Sequence, residues 1–214
     1  MEKLPISVII PLQKHRKDFF EKECLPSIEK QNPSEIIIID DDGKAPYKRN
    51  LGLKKSKPYE YVLFSDDDIT YPDRWISKMI DNIKDDDKLA FSYTGYILKG
   101  HDSLKENKNF NKIFNAPEFN LKWLKKGNYI STMSVLKTKY LVEWDENDIM
   151  YRFQDWEFFL RICLKYNVSG KLLQNHFIAH YFDEVLKKDW QNDFKNQKLK
   201  SYITQKLLNN KNYD

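Results

Sequence analysis

The chain has 214 residues, with 36 Lys and Arg against 32 Asp and Glu, and a formal net charge of +4. That length suits one domain with an appendage, and so mild a charge does not demand a nucleic-acid or membrane partner. With 41% hydrophobic and 32% charged residues and only six Gly, disordered and collagenous classes are excluded. No run approaches the ~18 apolar residues that would span a bilayer. The opening MEKLPISVIIPL lacks a small-residue cleavage site and is not read as a signal peptide. The two cysteines, Cys24 and Cys163, are read as buried thiols in a reducing cytosol rather than a disulfide framework or metal cluster.

In chain order, residues 6–10 (ISVII) are a short β-branched run closed by Pro11, which suits a fully buried parallel strand. Residues 18–31 are helical, with Phe20, Cys24, Leu25 and Ile28 on one face, and Pro26 predicts a kink or restart. Residues 36–39 are four Ile, a second buried strand that ends in Asp40-Asp41-Asp42. A basic helix over 47–56 follows, then a strand over 60–64 that ends in Ser65-Asp66-Asp67-Asp68. Pro72 opens a helix reaching about Ile83, with Trp75, Met79, Ile80 and Ile83 on one face. Strands are predicted over 89–98, 128–136 and 172–182, a polar loop with a short helix over 100–126, and helices over 154–166 and 183–211. This alternation is the pattern of an α/β domain with a mostly parallel sheet, in which ligands bind beyond the carboxyl ends of strands.

Two strands ending in acidic triplets are the most informative feature. Ionised carboxylates only accept hydrogen bonds, so Asp40–Asp42 suit a nucleobase N–H or ribose hydroxyls, or else a plain turn before Gly43. Asp66–Asp68 repel one another unless a cation sits among them, and hard oxygen ligands favour Mg²⁺ or Mn²⁺. The alternative is a solvated loop, which is how Asp85-Asp86-Asp87 is read. Asp155, at the start of a helix, is placed to act as a general base or simply to favour the helix N-terminus. His176 and His180 would share one face of a regular strand, and either imidazole can ligate a metal, His180 being the stronger candidate.

The ordered segments ISVIIPL, EIIIIDDDG, KRNLG, EYVLFSDDDITYPDRW, GNYISTMSVL, WDEN and QDWEFFLRI together resemble glycosyltransferase family 2, from about residue 5 to about residue 182. The resemblance implies a GT-A fold, a mostly parallel central sheet flanked by helices, followed by a C-terminal helical tail. Residues 1–182 would form the catalytic domain, about 1–98 for the nucleotide-sugar and about 99–182 for acceptor and catalysis, with 183–214 as a basic helical segment. It implies nucleotide-sugar contacts from Pro11, Leu12, Asp40, Asp41, Asp42, Arg49, Asn50, Asp66 and Asp67. It implies a DXD-type metal site from Asp66, Asp67, Asp68 and His180, and Asp155 as catalytic base. The chain departs from the family pattern in four places: Asp42 stands where Gly is usual, Ser65 and Gln154 stand where acidic residues are usual, and Pro11-Leu12-Gln13-Lys14 replaces the usual turn. Trp156, Glu157 and Trp123 are candidates for acceptor contact, the tryptophans having ordinary core packing as their alternative.

The expected activity is metal-dependent inverting transfer of a sugar, with Mn²⁺ or Mg²⁺, from a nucleotide-diphosphate donor, most simply a UDP-sugar. The acceptor would be a hydroxyl of a saccharide or glycoconjugate, as in polysaccharide biosynthesis. Alternatives are a glycosyltransferase acting on a modified nucleic-acid base, a non-catalytic sugar-nucleotide binder, and a nucleotidyltransferase; the last would want a Gly-rich loop where this chain has Leu-Gln-Lys-His-Arg. Residues 187–214 hold seven Lys and three Asp, so the whole +4 excess sits in the tail. A basic amphipathic tail can approach an anionic membrane or a nucleic-acid backbone, or be a solvated helix docked by an apolar face that includes Trp190 and Phe194. The expected location is cytoplasmic, with any membrane contact peripheral.

Overall fold

A computed structural model of the chain describes residues 2–100, 111–182 and 193–208. The central sheet has six strands in the order β2 (Pro33–Ile39), β1 (Leu4–Pro11), β3 (Tyr61–Phe64), β8 (Val135–Lys137), β5 (Leu89–Tyr93) and β9 (Ser169–Leu172). Only β8 runs against its neighbours; the pairs β1–β2, β1–β3 and β5–β9 are parallel. A smaller sheet runs β4 (Ile69–Thr70), β10 (Ile178–Phe182), β6 (Tyr96–Gly100) and β7 (Lys112–Phe114).

Strand period explains the two-sided core. Successive side chains point to opposite faces. Ile6, Val8 and Ile10 of β1 therefore pack on one side with Phe20, Cys24, Ile28, Trp75, Ile76 and Met79, while Ile9 packs on the other. The first side is covered by a broken helical segment: a 3-10 turn (Lys14–Arg16), α1 (Lys17–Phe19), a π-helical stretch (Phe20–Cys24) and α2 (Leu25–Glu29), followed later by α4 (Trp75–Asp81). The predicted interruption at Pro26 is thus a π-stretch and a restart with Pro in the first turn of α2. The second side is covered by α3 (Ala45–Lys55), α5 (Leu121–Leu124), α6 (Gln154–Tyr166) and α7 (Asp193–Leu208).

Several expectations are corrected. Among the described residues the Ile run is an edge strand, paired only with β1, and Ile38 is 40% exposed. The strand expected over 89–98 breaks at Thr94-Gly95: β5 ends in the central sheet and β6 begins in the small one. Gly95 allows this, because a Cβ there would lie 2.3 Å from the Phe114 carbonyl oxygen. Of the expected 128–136 strand only 135–136 is strand, and β8 runs on to Lys137. The 172–182 segment splits around a turn at Asn175, whose φ is 58°, so His176 and His180 do not share a strand face. His176 is held elsewhere: its carbonyl accepts from Trp75 and Thr94, and its ring meets Lys78.

Both cysteines are buried free thiols. Among the described residues no helix is long and apolar enough to cross a membrane. In the tail, Leu199, Ile203 and Leu207 recur at i, i+4, i+8 and are buried in the second core, while Lys206 reaches Asp145 and Glu157, each at 2.7 Å. Trp190 lies outside the described residues.

Candidate active site

Parallel pairing of β1, β2 and β3 brings residues 11–16, 40–45 and 65–68 to one edge of the sheet. A cleft of about 500 Å³ opens there, lined by Pro11, Gln13, Arg16, Gly43, Lys44, Lys48, Arg49, the whole Asp66–Asp68 triplet, Gln154 and His180. A second cavity of about 380 Å³ adjoins it, lined by Tyr96, Phe114, Asn128, Thr132 and Asp155, and it shares Asp66 and His180 with the first. The two meet at those two side chains.

The triplet is held from several directions. The Ser65 hydroxyl accepts a hydrogen bond from Tyr71 at 2.8 Å and is fully buried. Asp66 accepts from Arg49 at 2.7 Å and is about a third exposed, at 31%. Asp67 accepts from the Gln13 backbone N–H at 2.6 Å and from Arg16 at 2.9 Å. Asp68 meets the same Arg16 nitrogen at 2.7 Å and His180 Nε2 at 3.4 Å, and its Oδ1 is buried without a hydrogen-bond partner. Burial pushes the Asp67 carboxyl up against the pull of Arg16. At Asp68 burial also pushes upward, but His180 and Arg16 outweigh it and hold the carboxyl below its ordinary value. Burial lowers His180, yet Asp68 more than compensates and its imidazole is raised.

Arg49 is the second fixed cation. It donates to Asp66 and to Gln154 Oε1 at 3.0 Å, and lies 4.5 Å from the centre of the Trp144 ring. Gln154 is therefore a neutral acceptor for Arg49, which leaves that guanidinium's charge facing Asp66. Lys48 donates to the Leu12 carbonyl at 2.6 Å and lines the cleft.

Asp155 sits in the first turn of α6, entered through Phe153 in the left-handed region (φ 55°). That conformation costs a bulky residue about 1–2 kcal/mol, and it directs the first turn toward the second cavity. Burial pushes the Asp155 carboxyl up to about 6, with nearby Asp66 adding to the rise while the Trp156 N–H and Arg49 oppose it. A half-buried carboxylate in that range, open to a cavity, can take a proton near neutral pH.

Some predicted site residues are not brought together. Asp40, Asp41 and Asp42 are exposed at the end of β2 and do not line the cleft; Asp42 pairs with Lys14 at 2.9 Å. Asn50 is spent on structure, its side chain bonding the Trp144 backbone at both N–H and carbonyl and the Glu146 carboxylate. Leu12 is buried and contributes only its carbonyl. Trp156 and Glu157 are corrected as acceptor contacts, because both point into the core. The Trp156 indole donates to the Leu124 carbonyl, and Glu157 is fully buried against Arg161 and Lys206. Trp123 is 55% exposed and lines neither cavity. Arg16, Lys44, Lys48 and Asn128 were not picked out; for Arg16 the signal was the basic turn after β1.

Two oxygens of the triplet suit a divalent cation that also binds phosphate, the buried and unpartnered Asp68 Oδ1 and a carboxylate oxygen of the partly exposed Asp66. Among the described residues no three His, Cys, Asp or Glu side chains converge as a cage. Both oxygens of Asp67 are engaged, and Asp68 Oδ2 already faces Arg16.

Residues 43–144 match the model of glycosyl transferase family 2. That segment belongs to the family. It contains Arg49, Asn50 and Asp66–Asp68 and ends before Asp155 and His180. No curated protein matches the chain. Among solved structures, S. aureus TarS 1–349 superposes with a TM-score of 0.64 at 15% identity, covering 97% of this chain and 66% of that one. The chain thus spans a little under two thirds of TarS 1–349. Glucosyl-3-phosphoglycerate synthase from Mycobacterium tuberculosis, in complex with Mg²⁺ and UDP, gives 0.55 at 10% identity, covering 94% of this chain and 79% of that one. The same synthase with Mn²⁺, UDP-glucose and phosphoglyceric acid gives 0.52, also at 10% identity, covering 95% of this chain and 78% of that one. At such identities the likeness is one of fold, and the family 2 segment sits in a GT-A fold.

Proposed function

We propose that this chain is an inverting glycosyltransferase that moves a sugar from a nucleotide-diphosphate donor, most simply a UDP-sugar, to a hydroxyl of a saccharide or glycoconjugate. The observation that carries this reading is the pair of cavities meeting at Asp66 and His180. One is rimmed by Arg16, Lys44, Lys48 and Arg49, and the other holds Asp155. Guanidinium and ammonium groups suit a diphosphate, and a proton acceptor beside them suits an incoming alcohol. UDP bound to a structural neighbour supports the choice of nucleotide.

In the proposed step the acceptor hydroxyl lies in the second cavity with its proton toward Asp155. Its oxygen forms a bond to the anomeric carbon from the face opposite the diphosphate. The bond from that carbon to the phosphate oxygen breaks, its electron pair leaves on the nucleoside diphosphate, and the acceptor proton passes to Asp155. Lys44, Lys48 and Arg49 meet the charge gathering on the leaving group. Single displacement inverts the anomeric centre.

The test is a panel of nucleotide-sugars and acceptors with release of nucleoside diphosphate as readout. Release with one pair, lost in Asp155→Asn, is expected. No release with any pair, or full transfer by Asp155→Asn, would overturn the reading.

A further inference from the structure

We propose that the short helix α5 and the turn after it form a docking surface for an anionic lipid bilayer, with the Trp123 indole set into the interface and Lys122, Lys125 and Lys126 against the headgroups. This goes beyond the glycosyltransferase reading and does not depend on it.

Charge and helical spacing build the surface. No Asp or Glu occurs between Glu118 and Glu143, and residues 122–126 include three Lys. The Lys125 N–H bonds the Leu121 carbonyl at 2.9 Å and the Gly127 N–H bonds the Trp123 carbonyl at 3.1 Å, so helical geometry runs on through the turn. At 3.6 residues per turn, Lys122 and Lys126 then share a face, Trp123 and Lys125 flank it, and Leu124 lies opposite. Burial agrees: Leu124 is fully buried, while Lys122, Trp123, Lys125 and Lys126 are all exposed. The helix is firmly seated. The Asn120 side chain accepts from the Trp123 N–H at 3.1 Å, the Asn120 N–H donates to the Tyr129 hydroxyl at 2.8 Å, and the Leu124 carbonyl accepts from the buried Trp156 indole.

At 55%, Trp123 is the most exposed large apolar side chain among the described residues. Among those residues its indole makes no hydrogen bond or ring contact, and none of the three lysines has an ion pair. An amphipathic indole is at home at a membrane–water interface, and each lysine near an anionic surface adds attraction. A nucleic acid fits less well. Lys122 to Lys126 span about 6 Å at 1.5 Å per residue, whereas single strands are held along a groove several nucleotides long. The tail helix α7 fits less well too, because its Leu199, Ile203 and Leu207 are already buried in the core. In the chain, α5 is the excursion between 114–117 and 128–133, the two stretches that line the second cavity, so docking through it ties that cavity to the lipid surface.

The experiment is co-sedimentation of the full chain with vesicles of phosphatidylcholine alone and of phosphatidylcholine with phosphatidylglycerol at about three to one. The expected result is binding to the anionic vesicles only, weakened by salt. Lys122→Gln/Lys125→Gln/Lys126→Gln is expected to weaken it by about tenfold or more, and Trp123→Ala by about fivefold or more. Lys198→Gln/Lys200→Gln, on the exposed side of α7, should stay within about twofold, and circular dichroism checks that every variant folds. All four side chains changed on α5 are exposed, so the variants are expected to fold. No binding of the unmodified chain to anionic vesicles overturns the proposal. So does unchanged binding by the folded α5 variants, or an equal loss in the α7 variant. Binding of a single-stranded oligonucleotide through these α5 residues, with none to vesicles, overturns it in favour of a nucleic acid. The readout contains no sugar transfer, so each of these results leaves the glycosyltransferase reading standing.

Discussion

Asp155→Asn separates what the carboxylate does for the reaction from what it costs the fold. In the folded chain its pKa is raised from 3.8 to about 6. At pH 7.5 both folded and unfolded chains carry the ionised form, so the folded state bears the cost of an anion it solvates poorly. Two units at 1.36 kcal/mol each give a ceiling of about 3 kcal/mol. Water in the open cavity screens part of that, so removing the charge is expected to stabilise the chain by about 1–3 kcal/mol. Asparagine keeps the oxygen that accepts the Trp156 N–H, so little else should change. At roughly 2–4 °C per kcal/mol for a chain of this size, the melting temperature should rise by about 2–12 °C. The gain should shrink as pH falls from about 6 toward 4, because the folded wild type takes up its proton there before the unfolded chain does. Transfer should fall by about 10²–10⁴, the usual weight of a general base. Thermal melts at several pH values, run beside nucleotide-release assays, read both effects. A loss of transfer with a melting temperature that is lower or unchanged at pH 7.5 would refute the argument that Asp155 is a strained, desolvated base.

The pH dependence of kcat/KM should follow the same group, rising with pH to a half-maximum near 6 and then levelling, and a profile flat between pH 5 and 8 would count against it. Asn50→Ala should cost roughly 2–3 kcal/mol in urea melts by orphaning the buried Trp144 N–H, with UDP affinity changed little; a large affinity loss at unchanged stability would return Asn50 to the binding site. Gly52→Ala should destabilise by about 1–3 kcal/mol, because the new Cβ would sit 2.3 Å from Ile9 Cγ2 at the seam between α3 and β1; an unchanged melting temperature would show that seam to be looser than described.

The first half of the chain was the more readable because its signals are local. Apolar runs ending in carboxylates mark parallel strands and their carboxyl ends, and α6 came out at the expected start, Gln154. The second half was less readable because its geometry depends on contacts distant in sequence. The break at Thr94-Gly95 follows from Phe114 crowding Gly95, and a lone Gly within a β-branched and aromatic run is at most a hint of it. Polar Ser131-Thr132 line a cavity instead, and the expected 128–136 strand begins only at Val135. Trp156 and Glu157 looked available because they adjoin Asp155, yet on a helix adjacent residues face different ways. Arg16 was hidden for a different reason. A basic turn reads as solvent-facing until the fold lays it against the triplet, some fifty residues further along.

The small sheet has a thermodynamic consequence. Its strand β4 continues directly from the acidic triplet, β10 pairs His180 with Ile69 on that side, and β10 pairs Ile178 with Tyr96 on the other. The Tyr181 N–H also donates to the Asp68 carbonyl at 2.8 Å. One hydrogen-bonded ladder therefore forms part of the wall of both cavities. Whatever free energy couples the two occupants through that ladder acts equally in each direction. The factor by which an occupant of the first cavity changes affinity at the second is the factor by which an occupant of the second changes affinity at the first. A substitution that reshapes Tyr96 and changes this coupling would register in the affinity measured at either cavity.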